Sequence, residues 1–89
     1  EYSKDEFRHY SVLFHGVGLC DEFPAIPFSW ELNENSFDGV LKNGMVMCVE
    51  TYVGRFSGGP GVKLEEQVLI TNNGHELLTS YPFESDLLI

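Results

Sequence analysis

The stretch LFHGVGLCDEFP, residues 13–24, places an imidazole directly before a Gly-x-Gly and follows it with two carboxylates and a proline. Glycine has no Cβ, so a ligand or a neighbouring backbone can approach His15 closely at this point. The pattern is typical of a site histidine, and it is equally typical of a buried histidine beside a glycine turn. The remainder of the chain has to supply partners before a site is indicated.

The composition predicts one small acidic domain. The chain has 89 residues, with 14 acidic and 5 basic side chains, and a formal charge of −9. This charge disfavours nucleic acids and anionic membranes as partners, because both are bound through basic surfaces. Cationic groups are the natural ligands, although an acidic surface often serves solubility alone. The chain begins at Glu1 without an initiator methionine, so we expect a fragment.

Cysteine usage and hydropathy favour an intracellular protein. Two cysteines, Cys20 and Cys48, are too few for a disulfide scaffold, and we expect both to be reduced, packed thiols. The sequence contains neither an apolar run of membrane-spanning length nor a signal peptide. We therefore expect a cytoplasmic location.

The first half of the chain is predicted to be mainly extended. Spacing of Tyr2 and Phe7 favours a helix end, whereas β-branched and aromatic residues indicate a strand that leads to His15. Pro24 and Pro27 exclude a helix from the segment that follows. The predicted elements are a helix end at 1–8, a strand at 9–19, an extended segment at 21–28, and an irregular loop at 29–43 that leads into a turn with positive φ at Gly44.

The second half predicts a strand pair and a further hairpin. Residues 45–53 are almost continuously apolar, which is typical of a strand covered on both faces, and Glu50 interrupts them. A carboxylate there must be paired, hydrogen-bonded or bound to metal, because burying an isolated charge is very costly. Residues 62–71 alternate, and this alternation places Glu65 on a polar, solvent-facing side. Asn73-Gly74 then predicts a tight turn into residues 75–78.

Three side chains form a candidate ligand set. His15, Glu50 and Glu65 combine nitrogen and oxygen ligands that suit a divalent transition metal, namely Zn, Mn, Fe or Co. Their spacing along the sequence does not select among these metals. The residues alone therefore indicate a metal site without identifying the ion.

Three motifs in this order resemble the C-terminal half of the pita-bread superfamily, which includes creatinase, prolidase, aminopeptidase P and methionine aminopeptidase. They lie at residues 15–24, at 44–50 and at 61–74, and together they cover most of the chain. The resemblance implies an α+β fold in which a strongly curved antiparallel sheet carries few helices. It also implies a dinuclear centre with two divalent metal ions.

The resemblance implies a role for each ligand. His15 and Glu50 would each ligate one metal, and Glu65 would bridge both, which places Glu65 in the site despite the alternation of its strand. Two aspartate ligands of the family belong to an N-terminal half that residues 1–89 do not contain. We therefore expect a C-terminal fragment of one catalytic domain that is inactive alone, and a homodimer in the full-length form.

The chain departs from the peptidase pattern at one position. Peptidase members of the superfamily share a second histidine between the His-Gly-x-Gly motif and the Glu and Pro that follow it. In this chain that segment is one residue shorter, and Asp21 stands immediately before Glu22. In this respect it is similar to the superfamily's dimethylsulfoniopropionate lyases, in which an aspartate at this position acts as general base. Tyr10 and Trp30 could then offer aromatic faces to a cationic substrate, although both are equally suited to a core.

Three functions remain open from the sequence. Hydrolysis of a small peptide-like or C–N substrate, as in Xaa-Pro peptidases, is placed slightly ahead of lyase chemistry because the family is broad. The substrate is expected to be a small molecule or a short peptide. A metal-free interaction module is the third alternative, and the retention of His15, Glu50 and Glu65 argues against it.

Overall fold

The computed structural model describes residues 7–9, 12–56 and 58–87, and strands dominate this part of the chain. The strands are β1 (Phe7–Arg8), β2 (Val12–Val17), β3 (Asp21–Pro27), β4 (Val46–Arg55), β5 (Gly61–Thr71) and β6 (Gly74–Leu77). Two single-turn 3-10 helices lie at Ser29–Glu31 and Ser85–Leu87. Among the described residues, no helix has the length and apolar character needed to cross a membrane.

The strands form one antiparallel sheet in the order β3-β2-β4-β5-β6, and β1 pairs with the far end of β4. The pairing of β2 with β3 shifts register twice, between Val12 and Phe14 and between His15 and Gly16. Such irregularities bend a strand and increase its twist. The outcome is the predicted fold class, a curved antiparallel sheet with few helices.

The helix predicted at 1–8 is wrong where the structure describes it. Phe7 and Arg8 form β1, and they lie opposite Arg55 and Gly54 on β4. The pairing available at the end of β4 outweighs the weak helical spacing of two aromatic residues, because tertiary context overrides local propensity. Residues 1–6 lie outside the described part of the chain.

The other predicted elements are confirmed, with small shifts of their ends. The strand leading to His15 is β2, the proline-containing segment is β3, and the hairpin after Asn73 leads into β6. Gly44 has a φ of +89°, as the turn requires. The strand covered on both faces is confirmed only for the first part of β4, since Val53 is exposed.

The two faces of the sheet differ in chemistry where β2, β4 and β5 lie side by side. Residues directly opposite each other in a ladder share a face. One face carries Met47 opposite Val68, and both side chains are buried. The other face carries Cys48 opposite His15, which are also buried. The polar face is therefore built around a buried histidine.

Candidate metal centre

Three neighbouring strands contribute side chains to the polar face. His15 of β2 lies opposite Cys48 of β4, and Glu50 of β4 lies opposite Glu65 of β5. One ligand atom from each of these four residues lies within 4.8 Å of the other three. The structure thus brings together the three side chains predicted as ligands, and it adds the Cys48 thiol to them.

The backbone beside His15 fixes how its ring is used. Its Nδ1 donates to the carbonyl oxygen of Gly16 at 2.9 Å, and a carbonyl can only accept. Nε2 therefore faces the carboxylates of the centre and lies 3.2 Å from Glu50 Oε2. In the neutral ring this arrangement leaves the Nε2 lone pair free to bind a metal, as is usual for metal-binding histidines held by a carbonyl.

The surroundings of His15 act on its pKa in opposite directions. Burial lowers the pKa, but the Gly16 carbonyl and the carboxylates of Glu50 and Asp21 together raise it above the usual value. The cationic ring is favoured because acceptors and negative charges surround both of its nitrogens. The same negative charges would favour a divalent cation.

Lys63 links the two glutamates. Its Nζ lies 2.8 Å from Glu50 Oε1 and 3.1 Å from Glu65 Oε2. These hydrogen bonds, to Glu50 first and then to Glu65, raise the pKa of Lys63 above its usual range. The ammonium of Lys63 therefore bridges the two glutamates with a positive charge. A metal ion bound between them would also supply positive charge.

Cys48 contributes a hydrogen-bond donor to the centre. Its Sγ donates to Glu65 Oε1 at 2.9 Å, and burial together with this acid raises the pKa of the thiol to about 12. A metal ligand would have to be the thiolate, so these surroundings favour the neutral thiol as a support for Glu65. Hydrogen bonds from Cys48 and then Lys63 in turn lower the pKa of Glu65.

Asp21 lies at the rim of the centre, at the start of β3. Its Oδ1 is 3.7 Å from His15 Nε2, and its side chain is 86% exposed. It belongs to an open cleft of about 600 Å³. The cleft is lined by Val12, His15, Asp21, Glu22, Phe23, Ala25, Glu50 and Lys63.

The two aromatic residues predicted to contact substrate have different outcomes. Tyr10 lies outside the described residues. Trp30 is on the 3-10 helix Ser29–Glu31, where its ring stacks on Phe28 with centroids 4.8 Å apart. Among the described residues, Phe23 is the aromatic side chain that lines the cleft.

The donor set fits a divalent metal. The imidazole Nε2 of His15 and the carboxylates of Glu50 and Glu65 are ligands common to Zn, Mn, Fe and Co sites. Lys63 already places a cation between both carboxylates. Two of these residues, His15 and Glu50, line the cleft, so a metal that they hold would lie beside it.

Two contributors to the centre were missed by sequence reasoning, and alternation could have found both. Cys48 precedes Glu50 by two residues and Lys63 precedes Glu65 by two, so each shares a strand face with its acid. Alternation along residues 62–71 puts Glu65 on one face with Lys63 and Gln67. The error was to treat that face as solvated, since pairing with β4 makes it the face of the site.

Comparison with known proteins identifies relatives of this chain. The family model described as metallopeptidase family M24 matches residues 2–72. The dimethylsulfoniopropionate lyase DddP of Roseovarius nubinhibens is 51% identical over 81 residues, which is 91% of this chain and 18% of that protein. DddP of Roseobacter denitrificans is 42% identical over 86 residues, which is 97% of this chain and 19% of that protein.

A more distant relative carries a peptidase name. An uncharacterized peptidase of Staphylococcus aureus is 32% identical over 69 residues, which is 78% of this chain and 18% of that protein. The chain thus spans about a fifth of the length of these relatives. The family model covers more than half of the chain, and its range includes the motifs at 15–24 and 44–50. With its curved antiparallel sheet and its converging candidate ligands, the chain belongs to metallopeptidase family M24 and is part of a pita-bread fold.

Proposed function

We propose that the protein containing this chain is a metal-dependent lyase that removes a sulfonium group from a small substrate such as dimethylsulfoniopropionate. The observation that carries the proposal is Asp21, an exposed carboxylate at the cleft rim 3.7 Å from His15 Nε2. An exposed acid beside the ligands is available to accept a proton from a substrate in the cleft. The two relatives that match most of this chain are named as lyases of this kind.

The chemistry assigned to Asp21 is a β-elimination. Its carboxylate takes the proton from the carbon next to the substrate carboxylate, and that electron pair forms the carbon–carbon double bond. The carbon–sulfur bond breaks, and the sulfur leaves with its electrons as a neutral sulfide. A divalent metal held by His15, Glu50 and Glu65 would supply Lewis-acid polarisation of a substrate oxygen.

The lining of the cleft supports a cationic substrate. Asp21, Glu22 and Glu50 contribute negative charge around the opening. Phe23 presents an exposed ring at the same opening, and an aromatic face attracts a sulfonium as it attracts an ammonium. The basic side chains of the described lining are His15 and Lys63, and both contact Glu50.

Hydrolysis of a small peptide-like or C–N substrate is the second candidate. The family model is that of metallopeptidases, and the Staphylococcus aureus relatives are named as uncharacterized peptidases. In this case a metal-activated water would attack the substrate, and Asp21 would orient it or accept its proton. The same residues would hold the metal, so the two candidates differ in the reaction and not in the ligands.

The test uses the full-length protein with its metal. Metal content is measured by mass spectrometry, and dimethyl sulfide release and Xaa-Pro dipeptide cleavage are assayed in parallel. We expect dimethyl sulfide release, and we expect Asp21→Asn to lower kcat by at least about a hundredfold, since general-base catalysis is of this size. Asp38→Asn, which alters an exposed loop acid, is the matched control.

Other outcomes assign a different function. Xaa-Pro cleavage without dimethyl sulfide release would replace the lyase by the hydrolase. A correctly folded protein that binds no metal would support an interaction module. Full lyase activity in Asp21→Asn would remove Asp21 from the role of base.

A further inference from the structure

We propose that Lys63 is a positioning residue: its ammonium holds Glu50 and Glu65 together in the metal-free centre, and a divalent metal must displace it to bind. This inference rests on the metal site of the proposed function and not on the reaction. It says that the Lys63 ammonium contacts Glu50 and Glu65 first and that a metal ion then takes its place.

The geometry of β4 and β5 creates the need for such a cation. Glu50 and Glu65 lie directly opposite each other, and like charges in this position destabilise a sheet. The Glu50 side chain is only 13% exposed, so water cannot fully screen it. A positive charge between the two acids removes the repulsion.

Lys63 is placed to supply that charge. It lies two residues before Glu65 on β5, which puts both side chains on one face of the sheet. Its Nζ contacts an oxygen of each acid, at 2.8 Å and 3.1 Å. One ammonium therefore bridges the two carboxylates of the acid pair.

The metal and the lysine would share the same two carboxylates. Lys63 contacts Glu50 Oε1 and Glu65 Oε2, whereas Glu50 Oε2 faces His15 Nε2 at 3.2 Å. A divalent ion binds carboxylate oxygens at roughly 2 Å, and an ammonium at hydrogen-bond distance from the same carboxylates would be repelled by it. Lys63 is 41% exposed on a flexible four-carbon side chain, so it can turn toward solvent.

The experiment measures metal affinity in the full-length protein. Mn²⁺ or Zn²⁺ is titrated into chelator-treated protein against a competing indicator, and Lys63→Met is compared with wild type. We expect Lys63→Met to bind metal about three- to tenfold more tightly, because the lost ion pairs no longer oppose binding. We also expect a lower unfolding temperature for metal-free Lys63→Met, but not for the metal-loaded form.

Control variants separate this effect from a general change in charge. Lys42→Met removes the same charge from an exposed turn and is expected to leave both readouts unchanged. Lys63→Arg keeps the charge and should remain within about twofold of wild-type affinity. In a Glu65→Gln background, Lys63→Met should lower the metal-free unfolding temperature less than it does alone.

Several results would overturn the inference. They are unchanged or weaker metal affinity in Lys63→Met, or an equal loss of stability in the metal-free and metal-loaded forms. If Lys63→Met fails to fold, Lys63→Gln is titrated in its place with the same expectations. Because affinity is measured without substrate, failure of the lyase assay and failure of this inference are distinguishable.

Discussion

The carbonyl of Gly16 selects the nitrogen of His15 that faces the acids. It accepts from Nδ1, and Nε2 is left beside Glu50 and Asp21. The carbonyl that accepts this hydrogen bond belongs to the residue directly after His15. The orientation of the ring is therefore determined within the histidine–glycine dipeptide. Single residues therefore set the chemistry of the centre, and single substitutions should report on it.

Glu50→Gln tests whether this acid is a metal ligand. We expect metal affinity of the full-length protein to fall by at least about tenfold, because even supporting residues around metal sites are worth ten- to a hundredfold. Metal per chain is measured by mass spectrometry after dialysis. Glu34→Gln, which alters an exposed loop acid, is the control. Unchanged stoichiometry and affinity in Glu50→Gln would remove Glu50 from the ligand set.

The two thiols should differ in reactivity. Cys20 is exposed, contrary to the packed thiol expected from sequence, whereas Cys48 is buried with its pKa raised to about 12. At about pH 8 Cys48 is then present almost entirely as the less reactive neutral thiol. When the native protein is labelled by disulfide exchange, Cys20→Ser should show one labelled thiol per chain fewer than wild type. Cys48→Ser should show the same number as wild type. Rapid labelling of Cys48 at this pH would contradict its environment.

At the scale of elements, the close approach of β2 and β3 brings Asp21 to His15. A Cβ on Gly16 would lie 2.5 Å from the carbonyl oxygen of Phe23, so only glycine fits between these strands. A Cβ on Gly18 would instead meet the side chain of Glu22, at 2.7 Å from its Cγ. The first obstacle is backbone, and the second is a side chain that can turn away.

This difference predicts unequal effects of two matched substitutions. Gly16→Ala should destabilise the protein by about 1–3 kcal/mol through overpacking, and it should lower the proposed lyase activity by separating Asp21 from the centre. Gly18→Ala should cost less and retain activity. Chemical denaturation and the dimethyl sulfide assay measure both. Equal effects of the two substitutions would contradict the strand contact.

The sequence predicted most strands because their signals are local. The turn at Gly44 and the strand at 62–71 are read from neighbouring residues, and both are confirmed. Alternation places Cys48 on the face of Glu50 and Lys63 on the face of Glu65. Contacts across strands are not local, so the hydrogen bond from Cys48 to Glu65 and the bridge from Lys63 to Glu50 could not be read from one strand. The convergence of the ligands was expected from resemblance, and the register of β4 with β5 is its physical cause.

At the scale of the whole molecule, the described sheet buries little. Met47, Cys48 and Val68, together with Pro24 of β3, are the buried apolar side chains of the described residues. The accessible surface of the chain is 6994 Å², whereas a folded monomer of 10.1 kDa exposes about 5,300 Å². Large apolar side chains on the surface include Leu19, Phe23, Val40, Leu77 and Tyr81.

We therefore expect residues 1–89 to fold poorly when expressed alone. So small a core cannot offset the conformational entropy of the chain. Thermal denaturation followed by circular dichroism should show no cooperative transition, and a dye that binds exposed apolar surface should fluoresce. The full-length protein is the control. A monomeric, cooperative transition for 1–89 would contradict this expectation.

The β4–β5 hairpin has a consequence for how the chain tolerates change in length. Glu50 and Glu65 face each other across one ladder, and the chain turns between Arg55 and Gly61. Extra residues in that connection leave the ladder in place, whereas one extra residue inside either strand sends an acid to the opposite side. Insertions are therefore compatible with the loop and not with the strands. The hairpin is also a portable unit: grafted into another antiparallel sheet, it would carry both acids and their ammonium in register.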